Sequence, residues 1–206
     1  MSLDEGVIKF QLDHTPADSF HESHITELNQ WRKWMYDLGL IGIIDTPQGA
    51  VGYGNISVRT AEGFLISGSQ TGHLADLGAQ HYALVTAAFP EENRLVSRGP
   101  IKPSSESLTH AVVYQQDPAI NWVLHAHHKP IWLAAERLGI PQTSQDAAYG
   151  TPEMATETTR IFVETDVKEV RIFSMAGHED GIVTFGETAE LAAGVMEKYL
   201  RSAENS

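Results

Sequence analysis

The chain has 206 residues, 42% of them hydrophobic, enough for one sizeable core in a single domain spanning residues 1–206. Its 14 basic and 27 acidic side chains leave a net charge of −13, which opposes non-specific attachment to nucleic acid or to an anionic membrane. The absence of cysteine excludes disulfides, thiolate nucleophiles and Cys-based zinc sites, no apolar run approaches the roughly 18 residues of a membrane span, and the N-terminus lacks the sections of a signal peptide, so a cytoplasmic protein is expected.

Residues 1 to about 20 show no clear period and contain Pro16, which reads as an N-terminal arm. From Ser23 to Gly39 the apolar residues Ile25, Leu28, Trp31, Met35 and Leu38 recur every three or four positions, an amphipathic helix ended by Gly39. The runs "GNISVR" and "FLIS" flank "TAEG" as a hairpin with Gly63 in the turn, and "HYALVTAAF" and "NRLVS" flank "PEE" in the same way. The loop "GPIKPSSES" leads into a helix from about Ser105 to Gln116 with Leu108, Val112 and Val113 inward. Strand "NWVLHAH", helix "KPIWLAAERLG", helix "TPEMATETTRIFVE" capped at Thr151, strand "EVRIFSM", loop "AGHED", strand "GIVTF" and a last helix from about Thr188 to Leu200 complete the chain. The expected fold is a mixed, mainly antiparallel sheet covered by helices, either α+β or an α/β three-layer α/β/α sandwich.

The stretch "NWVLHAHH" places imidazoles at the end of an apolar strand. Because strand side chains alternate, His125 and His127 share one face, and two imidazoles one strand repeat apart can grip a single divalent cation. His178, in the loop between the last two strands, is either a third ligand or an ordinary loop histidine. Glu106 either completes the set with a carboxylate or stands in the first helical turn because the dipole favours a negative charge there. Three histidines and one carboxylate would leave a coordination position open for substrate, as a catalytic site requires.

Two loops are rich in hydroxyls. "KPSSES" offers Ser104 and Ser105 at a helix N-terminus, where they either receive an anion or serve as the N-cap. "SGSQTG", with Thr71 and Gly72, matches neither the phosphate loop nor the dinucleotide fingerprint. In "GYGNIS", Asn55 and Ser57 can point polar groups into a cleft from one strand face.

The order "GNISVR", "FLIS…TG", "PSSESLTH…Y", "VLHAHH" and a late loop histidine resembles the class II aldolase/adducin family, of the fuculose-phosphate aldolase and ribulose-phosphate 4-epimerase type, over roughly residues 25–200. The resemblance implies an α/β/α sandwich, a homotetramer with sites between subunits, and a divalent metal, zinc most often, with Mn2+ or Co2+ as alternatives. Carried across by position, it makes His125, His127 and His178 the metal ligands and Glu106 the acid/base, with Asn55, Thr71, Gly72, Ser104 and Ser105 where the family holds a substrate phosphate. Three departures stand out. "SGSQTG" is about two residues longer than the family's loop. Glu179 replaces a glycine in the Asn-His-Gly pattern. The segment from Pro141 to Gly150 is short, so that the catalytic tyrosine lent by a neighbouring subunit lacks a counterpart and Tyr149 lines the pocket.

The expected function is therefore a metal-dependent aldolase, a lyase of carbohydrate metabolism. It would break or form a C–C bond of a small-molecule substrate, a sugar phosphate or a hydroxy-keto acid, through a metal-stabilised enediolate with Glu106 moving the proton. A 4-epimerase, decarboxylase or dehydratase on the same residues, and a non-catalytic adducin-like binding module, are the alternatives. A cupin-type oxygenase is disfavoured because the nearest downstream glutamate, Glu136, falls on an expected helix.

Overall fold

The computed structural model describes residues 6–46 and 49–204. Within the segment expected as an N-terminal arm, Gln11–Pro16 form a strand, β1, in which exposed Gln11, Asp13 and Thr15 alternate with half-buried Leu12 and His14. The strand pairs in parallel along the sheet edge with β7 (Arg94–Gly99). A sequence so polar carries little alternation to read, and Pro16 is tolerated because it ends an edge strand.

Helix α1 (Thr26–Asp37) buries Leu28, Arg32 and Met35 on one stripe. Two strands absent from the sequence reading follow, β2 (Gly42–Thr46) and β3 (Gly49–Tyr53), which pair with each other in a small separate sheet. The expected meander then appears as β4 (Asn55–Thr60), β5 (Gly63–Ser67), β6 (Tyr82–Phe89) and β7, each antiparallel to the one before. Helix α2 (Ser107–Gln116) is buried all round from Ser107 to Tyr114, deeper than its three inward apolar residues suggested.

Strand β8 (Trp122–His127) joins the far side of β4. Helix α3 (Lys129–Leu133) is shorter than expected, since Ala134 and Gly139 close tight turns onto carbonyls three residues back and the chain winds on as turns to Ile140. Helix α4 (Pro152–Glu164) starts as expected, with the Thr151 hydroxyl accepting from the Met154 N–H at 3.3 Å. The expected strand from Glu169 begins only at Ile172. Val167–Val170 form a helical turn, α5, and Arg171 sits in the left-handed region at φ 58°, which no strand continues through. β9 (Ile172–Ser174), β10 (Gly181–Gly186) and α6 (Ala189–Glu204) complete the chain.

The main sheet has the order β1-β7-β6-β5-β4-β8-β10-β9, antiparallel except at its first pair. One apolar cluster packs Leu124, Ala126 and Ile182 of the sheet under α1, α3 and α6. A second packs Val123, Val183 and Phe185 under α2 and α4. The result is the expected mixed α/β architecture, with helices on both faces of the sheet.

Candidate metal centre and substrate cleft

The register of the sheet assembles the site. Asn55 of β4 pairs with His125 of β8, and on the other side Val183 and Gly181 of β10 pair with His125 and His127. The turn that enters β10 is closed by Gly181 N–H donating to His178 O at 2.9 Å, and it brings His178 to the end of β8. The ligand nitrogens of His125, His127 and His178 consequently lie within 4.8 Å of one another, and all three side chains are buried.

Three nitrogens about 2.1 Å from one ion stand roughly 3.4 Å apart, so small ring rotations would complete the cage. Neither ring nitrogen of His125 has a hydrogen bond among the described residues, although the side chain is 1% exposed. Burial holds the His125 imidazole well below its ordinary range, helped by the neighbouring imidazoles His127, His178 and His110. It is therefore neutral, with a lone pair available. A buried, neutral imidazole whose lone pair has no well-formed partner is costly, and a divalent cation fits the donor set.

Glu106 immediately precedes α2 and is 2% exposed. Its Oε1 lies 3.4 Å from His178 Nδ1, and its Oε2 accepts from the Thr109 hydroxyl at 3.0 Å. The carboxylate is thus beside the triad, held by a residue one helical turn along. Below it, the Ser57 hydroxyl lies 2.7 Å from both His110 Nδ1 and the Tyr114 hydroxyl. Ser57 therefore braces α2 against the sheet instead of entering the cleft. Burial pushes the His110 imidazole down to about 3.

A narrow cleft with about 20 Å³ of free volume opens onto this centre, lined by Asn55, Thr71, Gly72, Ser104, Ser105, Glu106 and His125. Oδ1 of Asn55, a residue 5% exposed, has no hydrogen-bond partner among the described residues. Ser104 accepts from the Glu106 N–H at 3.3 Å, and Thr71 donates to the Gly68 carbonyl at 2.8 Å, so both hydroxyls already serve the protein. Gly72 is required by close packing, because a Cβ there would lie 2.1 Å from the Gly42 carbonyl oxygen. Tyr149 does not line the cleft. Its ring lies against His178 with centroids 4.7 Å apart.

Two contributors went unread in the sequence. Arg32, buried in α1, donates to the carbonyls of Ala75 at 2.8 Å and Thr71 at 3.0 Å and so fixes the longer loop; a cation on an otherwise inward helical stripe was its signal. Tyr53 lines the cleft with its ring 5.3 Å from that of His127. It lies in β3, one of the strands that carried no clear pattern.

The family model "Class II Aldolase and Adducin N-terminal domain" matches residues 48–206, and the chain belongs to this family. Among solved structures, it is similar to the L-fuculose-1-phosphate aldolase from Thermus thermophilus, at 24% identity and a TM-score of 0.63, covering 89% of this chain and 92% of the other. It is also similar to a sugar-phosphate aldolase from Thermotoga maritima, at 16% identity and a TM-score of 0.66 over 89% and 93% of the two chains. The N-terminal class II aldolase domain of a conserved protein from Thermoplasma acidophilum matches at 18% identity and a TM-score of 0.57 over 92% and 96%. No helix among the described residues is long and apolar enough to cross a membrane.

Proposed function

We propose that the chain is a metal-dependent lyase of the aldolase type, breaking or forming a C–C bond in a small sugar phosphate or hydroxy-keto acid. His125, His127 and His178 are the ligands of zinc or another divalent ion, and Glu106 moves the proton. The observation that carries the reading is three ligand nitrogens within 4.8 Å of one another, with a buried carboxylate 3.4 Å from one of the rings, at the end of a cleft. An ion bound there supplies Lewis-acid polarisation of a substrate carbonyl.

The protein's own groups account for the rest. Thr109 pins one oxygen of Glu106 and sets the direction of the other, so the carboxylate can give a proton to, or take one from, the carbon beside the polarised carbonyl. The narrow cleft leaves little room for water, and fixed dipoles act strongly on a group that enters such a site. Asn55, Thr71, Gly72, Ser104 and Ser105 form the wall that receives the substrate's anionic group. The Asn55 amide, Ser104 and Ser105 are the best placed of these, because Thr71 already donates its proton to the Gly68 carbonyl whereas Ser104 only accepts one.

The test is a panel of ketose phosphates and hydroxy-keto acids offered to zinc-, manganese- and cobalt-loaded protein, with cleavage products identified. Cleavage that disappears on chelation and returns with the ion is expected. Full turnover by verified metal-free protein, or epimerised, decarboxylated or dehydrated products alone, would refute the lyase. The family resemblance also supports a cytoplasmic homotetramer, whose mass light scattering measures.

A further inference from the structure

Residues 6–10, just ahead of β1, reach the candidate metal centre. Gly6 lines the cleft, and its carbonyl accepts from Gln70 Nε2 at 3.3 Å, while Gln70 Oε1 in turn accepts from the Gly52 N–H at 3.1 Å. Gly6 has φ 72°, in the left-handed region that favours glycine, and a Cβ there would have to displace the end of the Gln70 side chain, whose Nε2 lies 2.3 Å away. One residue on, the Val7 N–H donates to the Tyr149 hydroxyl at 3.3 Å. Lys9 then places its ammonium 3.8 Å from the centre of the Tyr149 ring, and a Cβ added at Gly150 would sit 3.4 Å from the Lys9 Cβ. The segment is anchored behind this contact by Asn93, which donates to the Lys9 carbonyl at 3.1 Å and accepts from the Gln11 N–H at 2.8 Å.

These contacts form a column. The Lys9 ammonium covers the Tyr149 ring, and Tyr149, 1% exposed, lies against the His178 ring at 4.7 Å with 31° between the planes. We infer that residues 6–10 form a strap beside the metal centre, and that Lys9 is a positioning residue which, through Tyr149, fixes the His178 imidazole in the orientation that holds the ion. The inference rests on the metal-centre reading above. Groups that orient a ligand from behind set how long an ion stays, because a ring free to turn leaves its ion more readily. A cation over a desolvated tyrosine face is strong enough to hold such a ring.

The test uses the full chain loaded with Co2+ and challenged with excess EDTA, following the cobalt absorption bands and the rate of ion release. In Lys9→Met, which keeps the length of the stem and removes the charge, release should be about fivefold faster or more, with altered bands. Lys9→Arg, which keeps a cation over the ring, should release at the rate of the unaltered protein, and melting temperatures should agree across all three. Unaltered release from Lys9→Met, or faster release from Lys9→Arg to the same extent, would overturn the role of Lys9 and leave the metal centre standing. Failure of the unaltered protein to take up cobalt would overturn the metal centre and this inference together.

Discussion

Strand β8 has two faces, and they diverge along its length. Trp122, Leu124 and Ala126 join the apolar cluster under α1, α3 and α6 throughout, whereas the opposite face starts apolar at Val123 and ends in His125 and His127. All six residues are buried, so exposure does not distinguish the faces. Chemistry does. One face holds the sheet to its helices, and the other gives up apolar contact at its end to place imidazole donors together in a buried site. The comparison teaches that the proposed site occupies the terminal positions of an otherwise ordinary core strand.

Removing a donor should break the second face with the largest effect. His127→Ala is expected to lose stoichiometric zinc, measured by elemental analysis after gel filtration, and to lower turnover by at least about a thousandfold. Glu106→Gln keeps the volume and the Thr109 contact but removes the proton carrier. Zinc content should stay at the unaltered level while kcat falls roughly 10²- to 10⁴-fold, and a normal kcat would dismiss Glu106 as the acid/base. Leu124→Ala tests the opposite face. Its cost should be about 2–5 kcal/mol in urea unfolding, with zinc stoichiometry unchanged in the folded protein. If Leu124→Ala lost the metal without losing stability, the separation of the two faces would be wrong.

How much of this was legible follows from which residues carried a period. The His125–His127 spacing, the histidine loop before β10 and the Glu106 helix start were readable because each lies on an element with a strong pattern or next to one. The β4–β7 meander was readable for the same reason, since Ile56, Leu65, Ile66 and Leu84 are apolar core positions bounded by turn residues. β1, β2 and β3 were not. β1 pairs only one of its edges, keeps Gln11, Asp13 and Thr15 in solvent and turns just one apolar side chain, Leu12, inward, while β2 and β3 stand apart from the main sheet with Ile43 exposed, so none carries the run of apolar residues that would show a period. The Ser57–His110–Tyr114 network and the Arg32 tether were hidden because they join residues 53, 57, 43 and 39 positions apart, a separation no local pattern encodes.

The network beneath the cleft predicts a pH dependence in metal-free protein. His110 titrates near 3 in the folded state and near 6.5 when unfolded, burial being the cause. Between those values the unfolded chain carries a proton that the folded one lacks, so the stability from a neutral His110 is complete above about 6.5 and falls as the pH drops toward 3. The slope from this single group is up to about 1.4 kcal/mol per pH unit. Urea midpoints of EDTA-treated protein should fall between pH 7.5 and 5, with His125, also held low by burial, adding to the slope, and a flat profile would mean that His110 is not buried neutral.

The smallest expected effect concerns the residue beside His178. Glu179, which stands where the family pattern has a glycine, could recharge the centre if it faced inward. Its side chain is instead 37% exposed and 3.6 Å from the ammonium of Lys129, itself 60% exposed, and Glu179 is not among the residues lining the cleft. An ion pair open to solvent contributes about 1 kcal/mol or less and is screened by salt. Glu179→Gln should therefore move the melting temperature by no more than about 3 °C and leave zinc stoichiometry and release unchanged. A release rate altered as much as by Lys9→Met would mean that this charge acts on the ion directly, and the boundary between the imidazole site and the surface would have to be drawn one residue further out.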